Sequence, residues 1–167
     1  MKEERPILDL PKTQTESILD GLAAAGLITG LAVLFFSYGD LPDRIPTHFN
    51  GSGEPDGFSS KSIMWILMSI TLIMAFGMWY LTRIPHKFNY LNRVTAENAE
   101  ETYYRGRLLI RVLNTGIIWI FIFIIWRTVE VVKGEAAGLG QWFLPVVLIV
   151  TLVVPIYMVI KMSANSK

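Results

Sequence analysis

An all-α integral membrane protein, four transmembrane helices with a short turn-rich or hairpin-like cap on the outer side, is the fold class that this sequence predicts. Three observations predict it. Of 167 residues, 52% are hydrophobic and 17% charged, and the mean hydropathy is +0.44, which is more apolar side chain than one small water-soluble core would bury. Four apolar stretches of about 20 residues match the thickness of a bilayer core. Eleven of the fifteen Lys and Arg fall on one side of those stretches: Lys2, Arg5, Lys12, Arg83, Lys87, Arg93, Arg105, Arg107, Arg111, Lys161 and Lys167. Arg44, Lys61, Arg127 and Lys133 fall on the other, so the positive-inside rule places both termini in the cytoplasm. The absence of cysteine excludes disulfides, thiolate catalysis and Cys-ligated zinc or iron–sulfur sites. A net charge of +1 gives nucleic-acid binding no support.

Residues 1–17 form a polar cytoplasmic segment that contains Pro6 and Pro11, and the first span covers 18–38. It is a transmembrane helix and not a cleavable signal, because Tyr38, Gly39 and Asp40 follow it where a small-residue cleavage site would stand. Within it Gly26 and Gly30 form a GxxxG step, extended by Gly21 and Ala23 to Ala25, that lets another backbone approach closely. The partner is either another helix of the same chain or a second copy, in a homodimer through Gly26 and Gly30. The second span, 63–81, carries Met64, Met68, Met74 and Met78 as two i to i+4 pairs; these are packing residues or, less simply, a soft-metal path. The third span, 108–126, holds Arg111 near its start, with Asn114 and Thr115 about one turn further on. Snorkelling of Arg111 to lipid phosphate and one interhelical hydrogen bond from Asn114 account for that cluster. In the fourth span, 141–160, Pro145 is tolerated in the first turns, whereas Pro155 lies deep enough to kink the helix; residues 161–167 form a cytoplasmic tail. Tyr38, Trp65, Trp126 and Trp142 then mark the outer interface and Trp79, Tyr80 and Tyr157 the inner one, with Trp119 near mid-span.

The outer loop, 39–62, is long for a connection in a compact bundle, as loops with a fold or function of their own are. Pro42, Pro46 and Pro55 forbid a continuous helix, Ile45 to Phe49 suits an extended strand, and Asn50 to Gly53 supplies a tight reversal. Ser59 or Ser60 is the expected N-cap of the second helix, with Asp56 close to its positive end. Asp43, Arg44, His48, Asn50, Asp56 and Lys61 are the candidate ligand-binding residues, suited to a cation, a cationic peptide or lipid headgroups. Asp and Asn oxygens would suit calcium and His48 zinc, but the only other histidine, His86, falls across the membrane, so no metal or cofactor is expected. The plainer account is a cap satisfied by itself, Asp and Asn bonding local backbone and Arg44 or Lys61 pairing a carboxylate. The cytoplasmic loop, 82–107, divides into an extended part and a helical part that begins near Thr95, with Glu97, Glu100 and Glu101 early in the helix and Glu101 to Arg105 as an i to i+4 pair. Arg107 and Arg111 continue that face, so one helix crosses the interface; its bases meet anionic lipid or a soluble partner.

Leu41, Pro42, Ile45, Pro46, His48, Phe49, Asn50, Gly53, Asp56, Gly57 and Lys61 resemble the signature of a bacterial membrane family of unknown function, whose domain forms the N-terminal part of SdpI-type immunity proteins. The stretch from Ile84 to Arg107 is similar to the loop that follows in that family. The resemblance implies a bacterial plasma-membrane protein that protects against an antimicrobial peptide, with an extracellular peptide toxin as ligand and signalling to a cytoplasmic regulator through the inner loop. His86, Lys87, Asn89, Tyr90 and Asn98 are the candidate contacts for that partner. The second membrane region of the SdpI proteins has no counterpart in this sequence. The alternatives are a small transporter or channel component and a purely structural membrane module. No Asp, Glu, Lys or His lies mid-span to relay an ion, and one dominant base asymmetry opposes an inverted dimer. An enzyme would have to rest on His48, Asp43 and Asp56, which match no catalytic motif, and no catalytic residue is assigned.

Overall fold

The computed structural model describes residues 5–164. Lys2 and Lys167, two of the bases counted on the inner side, lie outside them. Four helical segments are long and apolar enough to span a membrane, in agreement with the four stretches read from the sequence. They are α1 (Gln14–Ser37), α2 (Ile63–Leu81), α3 (Ala99–Lys133) and a fourth span built from α4 (Phe143–Leu148), a π-helical turn (Ile149–Val153) and α5 (Val154–Ala164). The fold also contains a small antiparallel sheet of two strands, β1 (Arg44–Phe49) and β2 (Pro55–Ser60), between α1 and α2. The chain is a multi-pass membrane protein.

Helix α1 starts four residues before the expected span. Thr13 and Glu16 form a capping box: the Glu16 amide donates to Thr13 Oγ1 (3.3 Å) and the Thr13 amide to Glu16 Oε2 (2.9 Å). Two of the helix's unpaired donors are satisfied this way. Helix α3 runs for 35 residues, about 52 Å at 1.5 Å per residue, and is the column on which α1, α2 and β1 pack. It starts at Ala99, not near Thr95. The Thr95 amide donates to Asn98 Oδ1 (2.8 Å), so residues 95–98 form a turn closed by Asn98, and Glu97 stays in that turn. The Thr95 hydroxyl bonded to the Glu97 carboxyl holds its pKa below the ordinary carboxylate value. Glu101 and Arg105 form the expected i to i+4 pair.

The main core lies along α3, with Ile118, Ile122, Ile125 and Val129 against Ala23 and Leu34 of α1, Met64, Met68 and Ala75 of α2, and Leu41 and Ile45 before and within β1. Met64 and Met68 are thus packing residues, whereas Met74 is exposed. Gly26 and Gly30 face α3: a Cβ on Gly26 would lie 2.8 Å from Ile118 Cγ2, and one on Gly30 would run into Ile122. The Gly26 and Gly30 step is therefore filled by α3, where the absence of side chains lets two backbones close up, while Gly21, Ala24 and Ala25 stay exposed. Gly26 and Gly30 are buried against α3.

Pro155 acts one turn early. It has no amide to offer Thr151, and the ladder widens just before it into the π turn, in which the Val154 amide donates to Ile149 O. None of the most apolar window of this fourth span is buried within the chain.

Candidate functional site

The hairpin closes one end of the bundle, opposite the described termini. Asn50 builds its reversal: Asn50 Oδ1 accepts from the Ser52 and Glu54 amides (2.9 and 3.0 Å), and Gly53 takes φ +80°, which a side chain rarely adopts. The ladder pairs Ile45 with Ser59 and His48 with Gly57, with register shifts on both sides of His48. Such bulges re-aim side chains. Here they bring His48 Nδ1 to 2.5 Å from Asp56 Oδ1 on the exposed edge. Gly57 leaves the room for it, since a Cβ there would sit 2.9 Å from that of His48.

Both ends of the hairpin are tied down. At the base, Lys61 Nζ donates to Leu41 O (2.7 Å), lies 5.1 Å from the centre of the Tyr38 ring and faces Asp43 at 3.9 Å. At the tip, the Leu139 amide donates to Gly53 O (2.7 Å), and Arg127 holds Gly138 O from below (Nε 2.9 Å). The candidate ligand residues therefore divide. Asn50 and Lys61 are structural, His48 and Asp56 are paired yet exposed, Asp43 projects fully into solvent, and Arg44 is exposed with a long contact to Phe58 O (3.5 Å). The expected cap on α2 differs: β2 runs on through Ser59 and Ser60, Ser62 takes the N-cap position, and its amide donates to Ser60 Oγ (3.3 Å). Asp56 stands in β2 beside His48 and not at the helix start.

At the opposite end, the sequence reading missed a buried ion cluster. Glu16 has no exposed surface and accepts from Arg107 (Nη2 2.7 Å, Nε 2.8 Å) and from Arg111 (Nη1 2.8 Å). Arg111 Nε also donates to Asp20 Oδ1 (3.1 Å), and Lys12 pairs with the same carboxylate. Neither arginine snorkels. The acidic partners sit one turn apart on α1 and the arginines one turn apart on α3, so the two faces match when the glycine seam closes. That double i to i+4 pattern was the available signal. The expected interhelical bond is present, from Asn114 Nδ2 to Ala75 O (3.3 Å), and Thr115 Oγ1 adds one to Leu19 O (3.1 Å).

Residues 5–13 run across this end as a strap. Arg107 also donates to Leu10 O (3.0 Å), Tyr103 OH to Pro6 O (3.0 Å), and Arg5 to Phe88 O (2.5 Å) and His86 O (3.2 Å). Tyr90 OH donates to Pro85 O (3.0 Å), and burial pushes its pKa well above the ordinary phenol value. Of the candidate partner contacts, Tyr90 and Asn98 are thus used within the loop, His86 is half-buried, and Lys87 and Asn89 are exposed.

No solved structure is significantly similar to the chain. An uncharacterized protein of Archaeoglobus fulgidus is 35% identical over 57 residues, 34% of this chain; the match spans 30% of the length of that relative. Residues 25–74, from mid-α1 through the hairpin into α2, match the model of a family described as a domain of unknown function, DUF1648.

Proposed function

We propose that this is a ligand-sensing membrane protein of the SdpI-related type, set in the bacterial plasma membrane with both termini in the cytoplasm and the hairpin outside. There the hairpin meets a cationic antimicrobial peptide. The observation that carries this reading is the exposed acidic edge on a clamped platform. Lys61 is drawn inward, its side chain 21% exposed, while Asp43 is fully exposed and the Asp56 side chain 44% exposed. Asp40 and Glu54 are exposed too, against Arg44 as the one fully charged base in the hairpin that is exposed. The outward charge is therefore acidic, with four carboxylates against two bases in the loop's sequence, and such a surface steers cations toward it. A relay is supported by α3, which packs on β1 at one end and holds the Glu16 cluster and the strap at the other.

The test is protection of toxin-sensitive cells that express the chain. Asp43→Asn with Asp56→Asn should raise peptide sensitivity roughly tenfold, about 1.4 kcal/mol of binding, at unchanged expression. No protection by the wild type against any cationic peptide tested would remove the immunity reading. Protection that survives both changes would move recognition away from the hairpin.

A further inference from the structure

Helices α1 and α2 each pack chiefly on α3 and touch each other little. The gap between them is a crevice of about 420 Å³, walled by Ala24 and Leu27 on one side and Leu72 and Phe76 on the other, with Asn114 and Ile118 of α3 as its floor. Ala24, Leu72 and Phe76 are exposed, so the crevice opens sideways into the bilayer. At the end of the bundle nearest the described termini it meets a polar pocket of about 340 Å³, lined by Asp9, Lys12, Arg83, Arg107 and Arg111.

Two walls are continuous between them. Lys12 borders both. Opposite it, Trp79 borders the crevice and Arg83, 4.6 Å above the centre of the Trp79 ring, borders the pocket. The charges around the pocket are Lys12, Arg83, Arg107 and Arg111 against Asp9, Glu16 and Asp20. Lys12, Arg107 and Arg111 are all engaged with Glu16 or Asp20. Among the described residues no carboxylate pairs with Arg83, which is exposed at the rim.

From this juxtaposition we infer a lipid site: an acidic phospholipid lies with its phosphodiester between Lys12 and Arg83 and one acyl chain in the crevice between α1 and α2. One excess positive charge matches one phosphodiester, and a basic pocket between membrane helices that continues into an apolar groove fits both halves of such a molecule. A zwitterionic headgroup would bring its own cation to the same rim. The inference holds whichever face of the membrane this end meets, and it does not depend on the peptide reading of the hairpin.

The test uses the full chain, purified in mild detergent from nanodiscs of equal phosphatidylglycerol and phosphatidylcholine, with retained lipid counted by native mass spectrometry. Wild type should retain phosphatidylglycerol with roughly fivefold preference, the effect of about one basic side chain near anionic lipid. Arg83→Gln changes an exposed residue, and the preference should vanish while the protein stays monodisperse with an unchanged circular dichroism spectrum. Ala24→Phe should reduce retention of both lipids by filling the crevice. Equal retention of the two lipids by wild type, or an undiminished preference in Arg83→Gln, overturns the headgroup assignment. Wild-type retention by Ala24→Phe overturns the acyl-chain placement, and displacement of the lipid by millimolar inorganic phosphate assigns the pocket to a soluble anion instead.

Discussion

Glu16 shows how much one residue controls at the end of the bundle nearest the described termini. Its carboxylate caps α1 through Thr13 and also holds two guanidiniums of α3. Glu16→Gln keeps the shape and removes the charge, leaving Arg107 and Arg111, 6% and 5% exposed, with only Asp20 as a carboxylate between them. Breaking a buried ion pair by removing one partner costs about 3–5 kcal/mol, because the remaining charge stays desolvated. A loss of that size is expected in reversible unfolding in mixed micelles, with Glu16→Asp between the two. The double change Glu16→Gln with Arg107→Gln should cost less than the sum of the single changes, as coupled neighbours do. A double-mutant cycle that is additive within about 0.5 kcal/mol would show that the contact contributes nothing. His48 and Asp56 are the opposite case: both are largely in water, so the stability cost of Asp56→Asn is expected to be about 1 kcal/mol at most.

At the scale of elements, the seam of α1 on α3 depends on Gly30, where a Cβ would meet Ile122 and lie 3.3 Å from Met68 Sδ. Gly30→Val should therefore destabilise by about 1–3 kcal/mol through overpacking, read as a lowered midpoint of thermal unfolding in detergent. Gly21→Val on the same helix meets nothing within 4 Å and is the control expected to change little. The four spans were legible because apolar length alone marks a bilayer crossing, and the hairpin because Asn50 to Gly53 has the chemistry of a tight reversal. The starts of helices were less so. Ser59 and Ser60 sit where a cap would suit α2, but pairing with Arg44 and Ile45 keeps them in the ladder. Asn98 takes over from Thr95 because its side chain reaches both the Thr95 amide and Arg93 O. The Glu16 cluster was hidden by distance: its members lie 91 to 95 residues apart, and only the packing of α1 on α3 joins them.

For the whole molecule, α3 packs against the hairpin, both neighbouring spans and the fourth span. A disturbance of the cap reaches the strap along α3 or along α1, and the direction in which these helices cross the membrane decides what the cap meets. The base asymmetry favours termini inside, although Arg107 and Arg111, two of the eleven bases behind it, are neutralised by Glu16 and Asp20 in the fold. Insertion reads Lys and Arg near the span ends with little regard for carboxylates, so those two still act on topology. The chain has no cysteine, which makes single labels clean. Ser52→Cys at the exposed hairpin tip should react with a membrane-impermeant maleimide in intact cells, and Lys87→Cys in the loop between α2 and α3 only after permeabilisation. The reverse pattern would place the acidic edge of the hairpin in the cytoplasm and end the peptide reading, and equal labelling of both sites in intact cells would mean mixed insertion. Changing Arg83, Lys87 and Arg93 together to Gln should raise the intact-cell labelling of Asn89→Cys above that of Asn89→Cys alone, because the loop between α2 and α3 then loses much of the charge that sets its side of the membrane.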